Sequence, residues 1–246
     1  MRDSLWVAGD LLPTPRSHPE IRPYSEVLHG LHTGEVRGVR LAPALGVGPR
    51  DWNHLAETIA RLAPTEPVTL ASSPPVPVAR AEVLKNSQEN VVIAGPETTD
   101  DTVECALAVA DGNELMRDHT AQRQHLPGML LIEAGIQCTT WATRQLHPAP
   151  DGRLPVYPVM HGCEFEFDRF LFWLPVHLSV TLTPTGTADS AKRPLRADVE
   201  YRQRGRSAAR GRFHFNAFDP PRIHEVEQHQ SRKAISGPPS GGTAPR

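Results

Sequence analysis

Pro127-Gly128-Met129-Leu130-Leu131-Ile132-Glu133-Ala134-Gly135-Ile136-Gln137 is apolar at nearly every position except Glu133. A helix that is apolar almost all round belongs in a core. The pattern predicts a buried helix over about 128–146. An ionisable group in such a helix is costly unless it is paired, hydrogen-bonded or neutral. Fourteen residues upstream stands His119. A carboxyl and an imidazole are the usual means of moving protons in an enzyme, so the two residues are read together.

The segments around this helix have the period of strands. Residues 90–94 form a short apolar run. Val103, Cys105, Leu107 and Val109 alternate with polar or small neighbours, as do Cys163, Phe165 and Phe167. The same holds for Val176 to Leu182, for Ala197, Val199 and Tyr201, and for Gly211, Phe213 and Phe215. Each pattern describes a strand with one buried face and one solvated face. A single antiparallel sheet with one apolar face needs a cover. The strongly apolar helix supplies it. The expected fold class is therefore α+β, with the sheet wrapped around a central helix in the hotdog arrangement.

Outside this unit the chain reads differently. Trp52, Leu55, Ile59 and Leu62 recur at helical spacing, between short strand-like runs at 36–41 and 68–70. They predict a small α/β appendage. Gly46-Val47-Gly48 precedes that helix but has neither dinucleotide nor P-loop spacing. A structural turn is the preferred reading over a phosphate site. Residues 72–77 are Ser- and Pro-rich, a linker by composition, and the chain ends in a Gly/Pro/Ser-rich run. The expected organisation is an N-terminal α/β segment of unassigned role at 1–77, a hotdog domain at 78–218 and a flexible tail at 219–246.

The chain has 246 residues, 39% of them hydrophobic and 22% charged, with a formal net charge of −2. That balance gives no global case for a nucleic acid or an anionic membrane as partner. Three cysteines at wide spacing fit reduced thiols better than a disulfide framework. Cys138 reads as core packing. No signal-peptide core and no membrane-length apolar run is visible. A cytoplasmic location is expected.

The segment His119 to Gln137 resembles two hotdog motifs. In 3-hydroxyacyl-ACP dehydratases the pattern is His, seven residues, Pro-Gly, four residues, acid-Ala, two residues, Gln. His119, Pro127-Gly128, Glu133-Ala134 and Gln137 fit it without a gap. The A-factor (γ-butyrolactone signal) biosynthesis hotdog family is resembled over more of the chain. Asp118-His119 and His125-Leu126-Pro127-Gly128-Met129 are similar to its signature. So are Glu89 to Ile93, Phe167-Asp168-Arg169-Phe170 and Val199 to Gly205. Three departures stand out: the family's Arg before Gln is Ile136, its Asp before the second His is Gln124, and the interval between the histidines is longer. Those proteins carry two hotdog repeats, whereas one motif copy is visible here.

The resemblance implies an enzyme acting on an acyl or β-ketoacyl thioester of acyl carrier protein or CoA, in signal-molecule or secondary-metabolite synthesis. It implies a homodimer in which His119 of one chain and Glu133 of the other form each site, and no metal or cofactor. For dehydration, an imidazole suits removal of the Cα proton. A desolvated carboxyl favours the protonated form that a leaving hydroxyl needs. The N–H groups of Gly128 and Met129 at the helix head would stabilise the enolate oxygen. His125 is read either as a site residue or as a group packing at the helix start. Gln137 is read as orienting Glu133 or contacting substrate. Transfer of a β-ketoacyl group to a phosphorylated three-carbon acceptor is the alternative chemistry. It wants an arginine that Ile136 cannot supply, and Arg117, Arg123 and Arg144 are conceivable substitutes. A non-catalytic acyl-binding or scaffold protein is the alternative of another class.

Overall fold

The computed structural model of the protein describes residues 4–12, 18–117, 124–148, 155–187 and 192–236. The first unit comprises β1 (Ser4–Ala8), β2 (Ile21–Pro23), α1 (Tyr24–Thr33), β3 (Arg40–Pro43), α2 (Pro49–Leu62) and β4 (Thr69–Leu70). Its four strands run parallel in the order β2-β1-β3-β4. The sequence reading missed β1, β2 and α1. Val7 and Ala8 in β1 are fully buried, and a parallel strand covered on both faces shows no alternation to detect. Trp52 and Leu55 of α2 pack with Val7, Val27, Leu31 and Leu41.

Gly46-Val47-Gly48 is a structural turn. The Gly46 N–H donates to the Val109 carbonyl and the Gly48 N–H to Asp51 Oδ2. A Cβ on Gly46 would lie 2.7 Å from the Gly9 backbone, and its φ of +89° is itself a glycine conformation. This turn also ties the first unit to the second. Leu45 donates to the Trp173 carbonyl, and Asp111 accepts the N–H groups of Asp10 and Leu11.

Two short 3₁₀ turns, Arg80–Val83 and Gln88–Asn90, lead into β5 (Ile93–Thr99) and β6 (Thr102–Leu107). A four-residue turn α3 (Glu114–Arg117) and the long helix α4 (Gly128–Leu146) follow. Then come β7 (Tyr157–Phe167), β8 (Val176–Pro184), β9 (Lys192–Gln203), β10 (Arg206–Phe218) and α5 (Pro220–Ile235). The second sheet is antiparallel, in the order β5-β6-β8-β9-β10-β7. It closes around α4. Leu130, Leu131, Ala134, Cys138 and Ala142 on the helix meet Cys105, Leu178, Val199, Tyr201 and Phe213 on the strands. This is the hotdog arrangement. Pro148 follows the helix, and the residue before a proline disfavours the helical region; the chain leaves α4 at His147.

Close approach fixes one residue of α4. A Cβ on Gly135 would stand 2.3 Å from the Tyr201 hydroxyl and 2.7 Å from Phe213 Cζ. The Tyr201 hydroxyl donates to the Leu131 carbonyl at 2.7 Å. Burial pushes this phenol well above its ordinary pKa, so it stays a donor.

Two expectations are corrected. Residues 220–235 form a helix, not a flexible tail. Asp219 stands at its N-cap and Pro220 starts it. Only Ile223 is buried, so the segment needed no apolar periodicity to be helical. Residues 237–246 lie outside the described residues. The expectation of one buried face on Cys163-Phe165-Phe167 also fails. β7 is an edge strand; Cys163 and Phe167 are exposed, and Phe165 packs against the core.

Candidate functional site

Pro127 fixes the entry to α4 with φ −60°. It lacks an N–H where a helix could not satisfy one. The N–H groups of Leu130 and Leu131 return to the Pro127 carbonyl. Those of Gly128 and Met129 have no acceptor among the described residues. They head a 19-residue helix, whose N-terminus favours negative charge. Gly128 lines a cleft of about 440 Å³ together with His125, Leu131, Phe167, Arg169 and Phe170. The His125 ring is half-buried and lies 4.6 Å from that of Phe170. Phe167 and Phe170 are 55% and 70% exposed, so the cleft has an apolar wall open to solvent. A Cβ on Gly128 would meet Phe167 Cζ at 2.8 Å. The glycine thus makes room for that ring at the helix head.

The far wall is held at both ends. The N–H groups of Asp168 and Arg169 both donate to the Ala208 carbonyl, beside the register shift between Ser207 and Ala209. Leu126 donates to the Leu171 carbonyl at 2.7 Å. The Gln203 side chain accepts from the Phe172 N–H and donates to the carbonyls of Phe172 and Leu174.

Glu133 is not the lone acid in an apolar wall that its neighbours in sequence imply. Lys85 Nζ lies 2.5 Å from its Oε1. Gln137 Nε2 donates to the same oxygen at 2.8 Å. Oε1 therefore has its acceptor positions filled, and Oε2 has no hydrogen-bond partner among the described residues. Gln137, one turn on, is fully buried. It also donates to the Asn90 carbonyl, and its own carbonyl accepts the Val92 N–H. All of its amide contacts are inside the protein, so it positions Glu133 and the strand lead-in rather than a substrate. Replacing Gln137 by Leu should leave the buried Val92 N–H unpaired, at about 1–3 kcal/mol per orphaned group. A drop in Tm of about 5–10 °C is expected in a thermal melt.

Glu133 and the cleft occupy different sides of α4. At roughly 100° per residue, Glu133 is about 140° from Gly128 and about 200° from Leu131. His119 and Arg123 lie outside the described residues. Met129, at the helix head, is 59% exposed. Arg144 is no candidate for an anion. It donates to the carbonyls of Ala81, Glu82 and Val156, and burial lowers its pKa from the usual guanidinium value. It holds the 3₁₀ turn against the helix.

The sequence reading missed Lys85, which lies far from Glu133 along the chain and in no recognisable motif. It also missed the cleft wall. The clue there was the Phe-Asp-Arg-Phe run, in which two large apolar residues flank charges on a strand end. Cys138 Sγ lies 3.2 Å from Cys105 Sγ in the core. Among the described residues no three His, Cys, Asp or Glu side chains group as a metal site. No helix there is long and apolar enough to cross a membrane.

Among solved structures, a dehydratase heterocomplex of Xenorhabdus doucetiae is similar at TM-score 0.45 and 15% identity, covering 57% of this chain and 91% of that one. A conserved protein of Pseudomonas aeruginosa is similar at TM-score 0.41 and 17% identity, covering 57% and 100%. A thioesterase of Haemophilus influenzae reaches 0.40 and 12%, covering 66% and 90%. Likeness of this size says nothing about chemistry. A search of the curated proteins found no match. Residues 68–219 match the family described as the A-factor biosynthesis hotdog domain (AfsA). That span is more than half of the chain and contains α4, the cleft and every strand of the six-stranded sheet, so the protein belongs to the A-factor biosynthesis hotdog family.

Proposed function

We propose that this protein is an acyl-thioester enzyme whose substrate carbonyl sits at the head of α4. One observation carries the reading: the Gly128 and Met129 N–H groups have no partner among the described residues and stand beside an apolar cleft. Two donors on a helix terminus suit an oxygen that gains negative charge in the transition state. An acyl chain fits the wall of Phe167, Phe170 and Leu131. The thioester is that of acyl carrier protein or CoA, as the family implies.

The favoured chemistry is dehydration of a 3-hydroxyacyl thioester. A histidine takes the Cα proton, with His119 in the motif position and His125 beside the cleft. The Cβ–O bond breaks, and the hydroxyl leaves as water with a proton that the Lys85–Glu133 pair holds and Glu133 Oε2 delivers. A 2-enoyl thioester remains. Glu133 stands on another side of α4 from the cleft of its own chain, so in this reading it completes the site of a second copy. That makes a homodimer the working unit, in the cytoplasm and in signal-molecule or secondary-metabolite synthesis.

The test is mass spectrometry of the purified protein with two carrier-bound panels. One holds 3-hydroxyacyl thioesters, the other 3-ketoacyl thioesters with dihydroxyacetone phosphate. Loss of 18 Da (one water) from the first panel is the expected result. Acyl transfer in the second panel alone replaces dehydration with transfer. Turnover of neither makes the protein an acyl-binding module.

A further inference from the structure

The cleft is apolar along its wall and cationic at its rim. Arg169 lines it, is exposed, and makes no ion pair or side-chain hydrogen bond among the described residues. Its neighbour Asp168 does not neutralise it, because that carboxylate is held by Arg210 at 2.9 Å. The two adjacent side chains thus have different roles. One closes an ion pair across to β10, and the other faces the cleft uncommitted. Their backbone is pinned by the shared contact with Ala208, so Arg169 is presented from a fixed loop. Two cations packed on α4 are already engaged: Lys85 by Glu133, and Arg144 by three carbonyls. Asp168 also lines the cleft, but its charge is balanced by Arg210, and His125 and the N–H groups of Gly128 and Met129, open among the described residues, add no negative charge. The whole lining therefore favours a ligand with an apolar part and an anionic part.

Building on the acyl-thioester reading of this cleft, we infer that Arg169 is a substrate-binding residue that holds a phosphate group. A guanidinium presents a planar fork that matches phosphate oxygens two at a time. The phosphate has two chemical sources. It belongs either to the phosphopantetheine arm that carries the acyl group, or to a small phosphorylated hydroxy acceptor that receives it. In the second case Arg169 supplies, from another strand end, the positive charge that Ile136 does not supply on the helix.

Titration calorimetry on the full chain tests the assignment. The probes are phosphopantetheine and glycerol 3-phosphate, each against its phosphate-free counterpart, pantetheine or glycerol. The wild-type protein should bind at least one phosphorylated probe about 10- to 100-fold more tightly than its counterpart. Arg169→Gln and Arg169→Met should both erase that difference. Arg169→Lys should restore part of it, because the charge returns without the fork. Phosphopantetheine dependence identifies the carrier arm, and glycerol 3-phosphate dependence identifies the acceptor. Equal binding of phosphorylated and phosphate-free probes by the wild type overturns the inference. So does unchanged phosphate preference in both neutral variants. Failure of the broader reading looks different: no thioester would turn over, while Arg169-dependent phosphate binding would persist.

Discussion

Glu133→Gln is expected to lower dehydration of a 3-hydroxyacyl thioester by about 10²- to 10⁴-fold, the usual contribution of a positioned acid or base. The substitution keeps the shape of the side chain and can keep an acceptor toward Gln137. It removes the carboxylate oxygen through which a proton would reach the leaving hydroxyl. Lys85 loses its partner, but its side chain is 28% exposed and can turn to water, so the penalty is that of a partly exposed pair. About 1 kcal/mol or less is anticipated. Turnover and thermal stability should therefore separate: a large loss of rate with little change in Tm. A 3-hydroxyacyl substrate that still loses water at the wild-type rate would remove Glu133 from the chemistry. A parallel fall in rate and in Tm would assign it a structural role through Lys85 and Gln137.

Gly135→Ala is expected to lower stability substantially, by overpacking the core. A methyl group in the middle of a helix ordinarily helps by about 1 kcal/mol. Here it would stand 2.3 Å from the Tyr201 hydroxyl and 2.7 Å from Phe213 Cζ. Both rings are fully buried in the core that joins α4 to the sheet, so neither can swing out. Overpacking of this kind costs about 1–3 kcal/mol and sometimes more, and the helix must shift or the rings must leave their rotamers. A net loss of about 2–3 kcal/mol, or roughly 5–10 °C in Tm, is expected by thermal melt. In a Tyr201→Phe background the nearest atom is gone while Phe213 remains. Gly135→Ala should then be less damaging but not neutral. An equal penalty in both backgrounds would mean that Phe213 alone sets the limit.

Much of the hotdog unit was legible because its period is local. The alternation in residues 176–182 and 197–201 marks strands β8 and β9, and the apolar run after Pro127 marks α4, which spans Gly128–Leu146. The parallel unit was harder. β1 is five residues long and buried in its second half, which leaves no pattern to follow. The reading of α5 failed for the opposite reason: a helix whose one buried residue is Ile223, with its N-cap Asp219 paired to Arg193, carries no apolar stripe to detect. On the edge strand β7, the alternating residues Cys163 and Phe167 gave the right period but the wrong burial. Periodicity reports which side chains share a face, and only the neighbouring elements decide whether that face is covered.

The candidate site divides in the same way. The sequence by itself determined that an acid and a glutamine lie one turn apart on a buried helix, behind a Pro-Gly entry and downstream of two histidines. Covalent spacing and helical pitch are enough for that. Only the tertiary structure decided what each group faces. It brought Lys85 onto Glu133, turned Gln137 inward to Asn90 and Val92, committed Arg144 to backbone carbonyls, and left Arg169 at the cleft with no ion pair among the described residues. Charge pairing is a contact between segments distant in the chain, set by how strands and turns pack around the helix. No spacing along the sequence encodes it.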